Sequence, residues 1–452
     1  MRRWWLAAAA LAVLATGAGA VLVLRDAGVD VPLVAASPTP GPDPVRTPLL
    51  PDSPATAPAP TAAGLTRALA TALRAPGLGG RVGLAVVDAG TGQRLLELGA
   101  GRAVTPASTA KIVTAVAALT VLDPASRLRT RLLDGGGGDL VLVGGGDPLL
   151  GGRSATAGFP RGATLAALAA QVRSRPVRRV LVDDALFTGP RLGPGWKARY
   201  VTDGDVAPVT ALMVDGGRTS ARKNQPRSAD PALAAGRQLA ALLHVPVVAR
   251  GVAPAGAAEL GHVDSPTVAE LVEVMLTRSD NDLAEALGRR VALDRGLPAS
   301  FAGETAATLA AVGPLLDRRG ISRQGLALRD ASGLSPLDRV QPAALAGLLA
   351  AVGQDGADGS YAPLLSGLPV AGFDGTLQNR YRKAPSATAA GAVRAKTGTL
   401  NGVSALAGLV RTRSGHLLAF DVTADGVSLS GTLAAQAALD GVATALASCG
   451  CS

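Results

Sequence analysis

The stretch Thr105-Pro106-Ala107-Ser108-Thr109-Ala110-Lys111-Ile112-Val113-Thr114-Ala115-Val116 decides how this chain is read. Pro106 gives a rigid entry turn. Ile112, Val113, Val116 and Leu119 then recur at helical spacing, which predicts a helix with Ser108 at or just before its N-terminus. Positions three apart on a helix share a face, so the Lys111 amine falls beside the Ser108 hydroxyl. A serine needs a base to become an alkoxide near pH 7, and a lysine serves when burial or a second cation lowers its pKa. The helix start adds backbone N–H groups and a positive dipole end where an oxyanion would form. An isolated pair of this kind is more simply an N-cap serine and a solvated lysine. Here lysine is rare (Lys111, Lys197, Lys223, Lys383 and Lys396 are all there are), and two further motifs follow.

Ser279-Asp280-Asn281 falls between two predicted helices. A hydroxyl and an amide two residues apart on a loop can relay a proton, hold a substrate carbonyl and hold the Lys111 amine. Alone, the same triplet would read as a helix N-cap. Lys396-Thr397-Gly398-Thr399 follows Gly391-Ala-Val-Arg-Ala, a plausible edge strand. Gly398 would let a substrate backbone approach closely. Lys396 and the threonine hydroxyls would bind a terminal carboxylate, and the Lys396 charge would help keep Lys111 neutral. The N–H groups of Ser108 and Thr399 can together form an oxyanion hole.

S-x-x-K, S-D-N and K-T-G in that order are the signature of class A β-lactamases and penicillin-binding proteins. On these motifs the sequence resembles the D-alanyl-D-alanine carboxypeptidase/endopeptidase family, the class C low-molecular-mass penicillin-binding proteins of peptidase family S13. Val143-Gly-Gly-Gly-Asp-Pro148, Pro194-Gly-Trp196, Pro208-Val-Thr-Ala-Leu212, Asp330-Ala-Ser-Gly-Leu-Ser335, and Gly372-Phe-Asp-Gly-Thr-Leu377 with Arg380 are similar to further motifs of that family. The resemblance spans about residues 63–447. It implies Ser108 as acylated nucleophile, Lys111 as its base, Ser279 and Asn281 completing the relay, and Lys396, Thr397, Gly398 and Thr399 holding the substrate carboxylate and oxyanion. It implies peptidoglycan stem peptides as substrate, β-lactams as inhibitors, and neither metal nor organic cofactor. Pro336 stands where the family has an arginine associated with the stem peptide's side-chain carboxylate, and Arg339 is the nearby alternative.

The fold class expected is α+β, because strands and helices are segregated rather than alternating. The resemblance specifies a transpeptidase-like domain, an antiparallel sheet flanked by helices, with a smaller inserted domain. The expected organisation is a signal peptide or membrane anchor at 1–25 and a Pro-rich linker at 26–62. The peptidase domain takes 63–122 plus 264–452, and the insert takes 123–263. Trp4 to Leu24 is free of charge and follows two arginines, which favours export to an extracytoplasmic, cell-wall-associated location. Ten prolines lie between Pro32 and Pro60, an extended spacer.

Expected elements include a hairpin at 82–98, a helix opened by Ser265-Pro266, a strand near 325–329, a hairpin at 402–424 and a last helix at 430–447. Cys449 and Cys451 read as a frayed tail rather than a zinc site. The net charge of +10 carries no basic run of nucleic-acid type.

Two other functions compete. A β-lactamase of the same fold would need a glutamate positioning water, and Glu285 and Glu304 are the only glutamates between the second motif and Asp330. A non-enzymatic wall-binding protein would have no physical need to keep nucleophile, base and relay together.

Overall fold

The computed structural model describes residues 60–152, 160, 162–220, 225–355 and 359–451. The expected signal or anchor and nearly all of the expected linker lie outside them. Among the described residues no helix is long and apolar enough to cross a membrane.

In chain order the strands are β1 (Arg81–Asp88), β2 (Arg94–Leu98), β3 (Arg127–Gly136), β4 (Asp139–Val143), β5 (Arg179–Asp183), β6 (Val247–Arg250), β7 (Glu259–Thr267), β8 (Val393–Leu400), β9 (Val403–Arg411) and β10 (Leu417–Asp425). The helices are α1 (Ala62–Leu69), α2 (Ala110–Val121), α3 (Leu165–Ala170), α4 (Arg199–Thr202), α5 (Pro231–Leu243), α6 (Val268–Arg278), α7 (Asn281–Asp294), α8 (Phe301–Arg318), α9 (Pro342–Asp355), α10 (Ala362–Gly367) and α11 (Thr432–Ala447).

One sheet runs β2-β1-β10-β9-β8 and is antiparallel throughout. Alternation along its strands gives it two apolar faces. Ala85, Ala407 and Ala419 pack with α2, α6, α7, α8 and α9 on one side. Leu84, Phe420 and Val393 pack with α1 and α11 on the other. β8 and β2 are its edge strands. The second sheet, β6-β5-β4-β3-β7, joins antiparallel and parallel pairs and keeps its own core with α3 and α5. Its three adjacent strands β4, β5 and β6 are parallel, which the segregation of elements did not indicate.

Helix α2 is buried all round from Ala110 to Leu119, as its continuous run of Ala, Ile and Val requires. Four local expectations are corrected. The stretch 325–329 forms no strand, only a bridge from Ala327 to Arg339, because it runs between turns. Ser265-Pro266 belongs to β7, and α6 starts after Thr267, whose side chain and Glu270 form a capping box. Helix α1 starts at Ala62, inside the expected linker, capped by the Thr61 hydroxyl. Cys449 and Cys451 are not a frayed tail: they pair as a disulfide, are buried in the α11-side core, and the Cys451 carbonyl accepts the Thr61 N–H at 2.7 Å.

Candidate active site

Ser108 lies on a single 3₁₀ turn, Ala107–Thr109, that runs into α2. The residue before it, Ala107, has φ +49, a left-handed conformation uncommon for a residue with a Cβ. Two glycines explain how that turn is held. A Cβ on Gly398 would lie 2.6 Å from the Pro106 carbonyl oxygen, so β8 presses directly on the turn. Gly333, itself at φ +76, passes so close that a Cβ would sit 1.9 Å from the Ala107 carbonyl oxygen.

Lys111 is fully buried. Its Nζ lies 3.1 Å from Ser108 Oγ, 2.7 Å from Asn281 Oδ1 and 2.6 Å from the Ser332 carbonyl. Burial pulls its pKa down to about 8, against the upward pull of Asp330, Glu285, Asp280 and Asp338. A neutral amine has two hydrogens and one lone pair. Asn281 and the Ser332 carbonyl can take the two hydrogens, which leaves the lone pair to the Ser108 hydroxyl. This geometry suits an amine that accepts the serine proton.

The S-D-N loop is the tight junction of α6 and α7. Ser279 caps α6 at φ +57, and the Asp280 carboxylate caps α7 by accepting the Leu283 N–H. The junction sends its two polar side chains to different lysines. Asn281 goes to Lys111, and its Nδ2 also donates to the Asp205 carbonyl at 2.9 Å. Ser279 Oγ accepts from Lys396 Nζ at 2.8 Å, and Lys396 also donates to the Thr397 carbonyl at 2.8 Å. Lys396 is fully buried, and its pKa falls well below the usual lysine value through burial and then through repulsion by Lys111. Two buried lysines repel each other's charge, and burial is the largest cause of the lowering of Lys111.

The motif Lys396-Thr397-Gly398-Thr399 lies within β8 rather than beyond its end. Thr397 and Thr399 are on the open edge, where Thr397 Oγ1 donates to Thr376 Oγ1 at 2.9 Å and Gln436 Nε2 donates to Thr399 Oγ1 at 3.3 Å. All eight sequence-selected residues thus converge on the cleft between β8, the Ser108 turn and the α6–α7 junction.

Several groups outside the three catalytic motifs support them. Asp330 organises the loop behind Lys111: its carboxylate accepts N–H groups from Gly333 and Ser335, both at 2.7 Å, and Trp196 Nε1–H at 2.6 Å. Glu285 accepts the Ser332 N–H at 2.9 Å, and Thr114 Oγ1 donates to the Ala331 carbonyl at 2.6 Å. These bonds aim the Ser332 carbonyl at Lys111. Arg339 is exposed beside Pro336, donating to Thr105 Oγ1 at 3.0 Å and to the Pro336 carbonyl at 2.9 Å. Glu304 pairs with Arg289 beneath α7. Neither Glu285 nor Glu304 has any exposure; Glu285 is turned to the Ser332 backbone and Glu304 to Arg289.

Known proteins show the same arrangement of chain. The family model described as D-Ala-D-Ala carboxypeptidase 3 (S13) matches residues 65–242 and 223–446. The carboxypeptidase DacB of Mycolicibacterium smegmatis is 39% identical over 87% of this chain and 86% of its own. A carboxypeptidase of Mycobacterium tuberculosis is 39% identical over 94% of this chain and 91% of its own. The crystal structure of penicillin binding protein 4 from Haemophilus influenzae superposes with a TM-score of 0.67 at 23% identity, covering 84% of this chain and 97% of its own, which shows the shared fold.

Proposed function

Since the chain belongs to the D-Ala-D-Ala carboxypeptidase (S13) family and is a hydrolase of that type, we propose that it is an exported, cell-wall-associated serine peptidase acting through an acyl-enzyme at Ser108. Its substrates are peptidoglycan stem peptides ending in D-Ala-D-Ala, and cross-linked stems as an endopeptidase. The observation that carries this reading is the bonding of Lys111 Nζ, which leaves one lone pair for the Ser108 hydroxyl.

The substrate strand lies along the open edge of β8, with its terminal carboxylate at the Thr397 and Thr399 hydroxyls. Burial disfavours the Lys396 cation, and the arriving carboxylate supplies it with a countercharge. Lys111 takes the proton of Ser108 as Oγ attacks the carbonyl of the penultimate D-alanine. The N–H groups of Ser108 and Thr399 hold the oxyanion. Ser279, held by Lys396, gives its hydroxyl proton to the departing amine and takes in exchange the proton that Lys111 carries, the C–N bond breaks and an ester forms. Water then cleaves the ester. The strained amide of a penicillin offers the same carbonyl to the same serine, and no leaving group departs to make room for water, so the ester persists. No metal or organic cofactor takes part in this scheme.

The test is intact mass after addition of a penicillin. The expected result is one lasting adduct per chain on Ser108, and none on a folded Ser108→Ala variant. An adduct that persists in that variant rejects the assignment of Ser108. An adduct that forms and rapidly disappears replaces the peptidase with a β-lactamase.

A further inference from the structure

Beyond Thr399 the edge of β8 adjoins an open pocket of about 260 Å³ that the hydrolytic scheme leaves unused. One wall is the loop carrying Asn379, Arg382 and Lys383, and α11 supplies Leu433 and Gln436. Arg380 and Asp440 also line it, joined by a mostly buried ion pair at 2.6 Å, so their charges cancel. Arg382 and Lys383 are exposed. Arg382 donates Nε–H to the Gln378 carbonyl, and neither side chain pairs with a carboxylate among the described residues. The pocket therefore carries net positive charge. Gln436 ties it to the catalytic cleft: its Nε2 reaches Thr399 Oγ1 at 3.3 Å, while its carbonyl accepts Arg380 Nη2 at 3.1 Å.

We propose that this pocket is a subsite for the leaving side of a cross-linked substrate and takes a carboxylate-bearing peptide attached to the departing residue. The proposal rests on the peptidase reading above, in which the departing residue's carboxylate sits at Thr397 and Thr399. A departing D-alanine offers only a methyl group beyond that carboxylate and would leave the pocket empty. In a cross-linked stem peptide the departing D-residue carries a side chain that continues into a second peptide with free carboxylates. Arg382 and Lys383 match that charge, and the exposed Leu433 offers an apolar rim to the connecting methylenes. The chemistry is unchanged: the same amide C–N bond breaks, and the amine that leaves with its proton belongs to the second stem.

The experiment compares kcat/KM for a linear peptide ending in D-Ala-D-Ala with that for a cross-linked stem-peptide dimer, in the wild-type chain and in Arg382→Glu/Lys383→Glu. Both positions are exposed, so folding is not at stake. The expected result is a loss of roughly ten-fold or more on the dimer relative to the linear peptide, shrinking as salt is raised. An unchanged ratio overturns the proposal. So does a wild-type chain that cleaves the linear peptide and ignores the dimer. A wild-type chain that cleaves neither rejects the peptidase reading itself, and this subsite with it.

Discussion

At the scale of single residues, the chemistry rests on a lysine that must give up its proton inside a nest of carboxyls. Burial disfavours the Lys111 cation, while Asp330, Glu285 and Asp338 favour it; burial wins, and the pKa settles at about 8. Two of those carboxyls are themselves pushed towards their neutral forms. Burial and the neighbouring Asp330 push Asp338 up to about 10, and burial raises Glu285. A protonated carboxyl does not hold a cation in place, which is why the cluster does not lock Lys111 into its charged form. A rate follows. The second-order rate of acylation by a penicillin should rise roughly ten-fold per pH unit below about 8 and level off above it. Quenched mass spectrometry across that range reads it directly. A profile flat through pH 8 would mean that Lys111 is not the base.

At the scale of elements, position matters more than composition. The Ser108 turn is clamped between two backbones that come closer than any side chain would allow, β8 at Gly398 and the Asp330 loop at Gly333. Gly333→Ala should keep the fold yet lower the acylation rate by about a hundred-fold, because a shift of the turn by an ångström misaligns the nucleophile. Gly320→Ala is the control: it too has a left-handed φ of +61, but nothing lies within 4 Å of its Cβ position. Equal loss in both variants would make the effect one of backbone strain alone. The three motifs, the hairpin of β9 and β10 and the last helix were legible because each carries a local signal, either a residue pattern or a period. The parallel pairing of β4, β5 and β6 was not, because β-strand partners depend on contacts distant in sequence. Gln436 and Asp205 escaped for the same reason. Each acts through one bond to a motif residue, and nothing in its own neighbourhood marks it. Glu285 was noticed as a candidate for water activation; its contact in the fold is with the Ser332 backbone.

At the scale of the whole molecule, the segment between β5 and α5 returns to the cleft and locks onto it. Trp196 binds Asp330, Asp205 holds Asn281, and Arg227 pairs at 3.1 Å with the buried Asp282. So much internal polarity makes stability depend on pH. Asp421 shows the sign most simply. It lies fully buried in the middle of β10, one carboxylate oxygen accepting from Thr423 Oγ1 at 3.0 Å, and burial pushes its pKa up to about 8. The unfolded chain releases that proton near pH 4. Between those values the folded state binds the extra proton, so stability falls as pH rises, by about 1.4 kcal/mol per unit. The contribution is complete below the unfolded value and lost as pH passes the folded one. Asp421→Asn removes the titration with little change of shape. Its stability relative to wild type should therefore improve by about 1.4 kcal/mol for each pH unit from about 5 to about 7, read from urea unfolding midpoints. A difference that does not vary with pH would show that Asp421 is ionised in the fold. Lys111 needs the opposite condition, since it becomes a base only as pH approaches 8. The pH range that activates the nucleophile is thus the range in which the sheet beneath it loses the stabilising effect of its buried, protonated carboxyl.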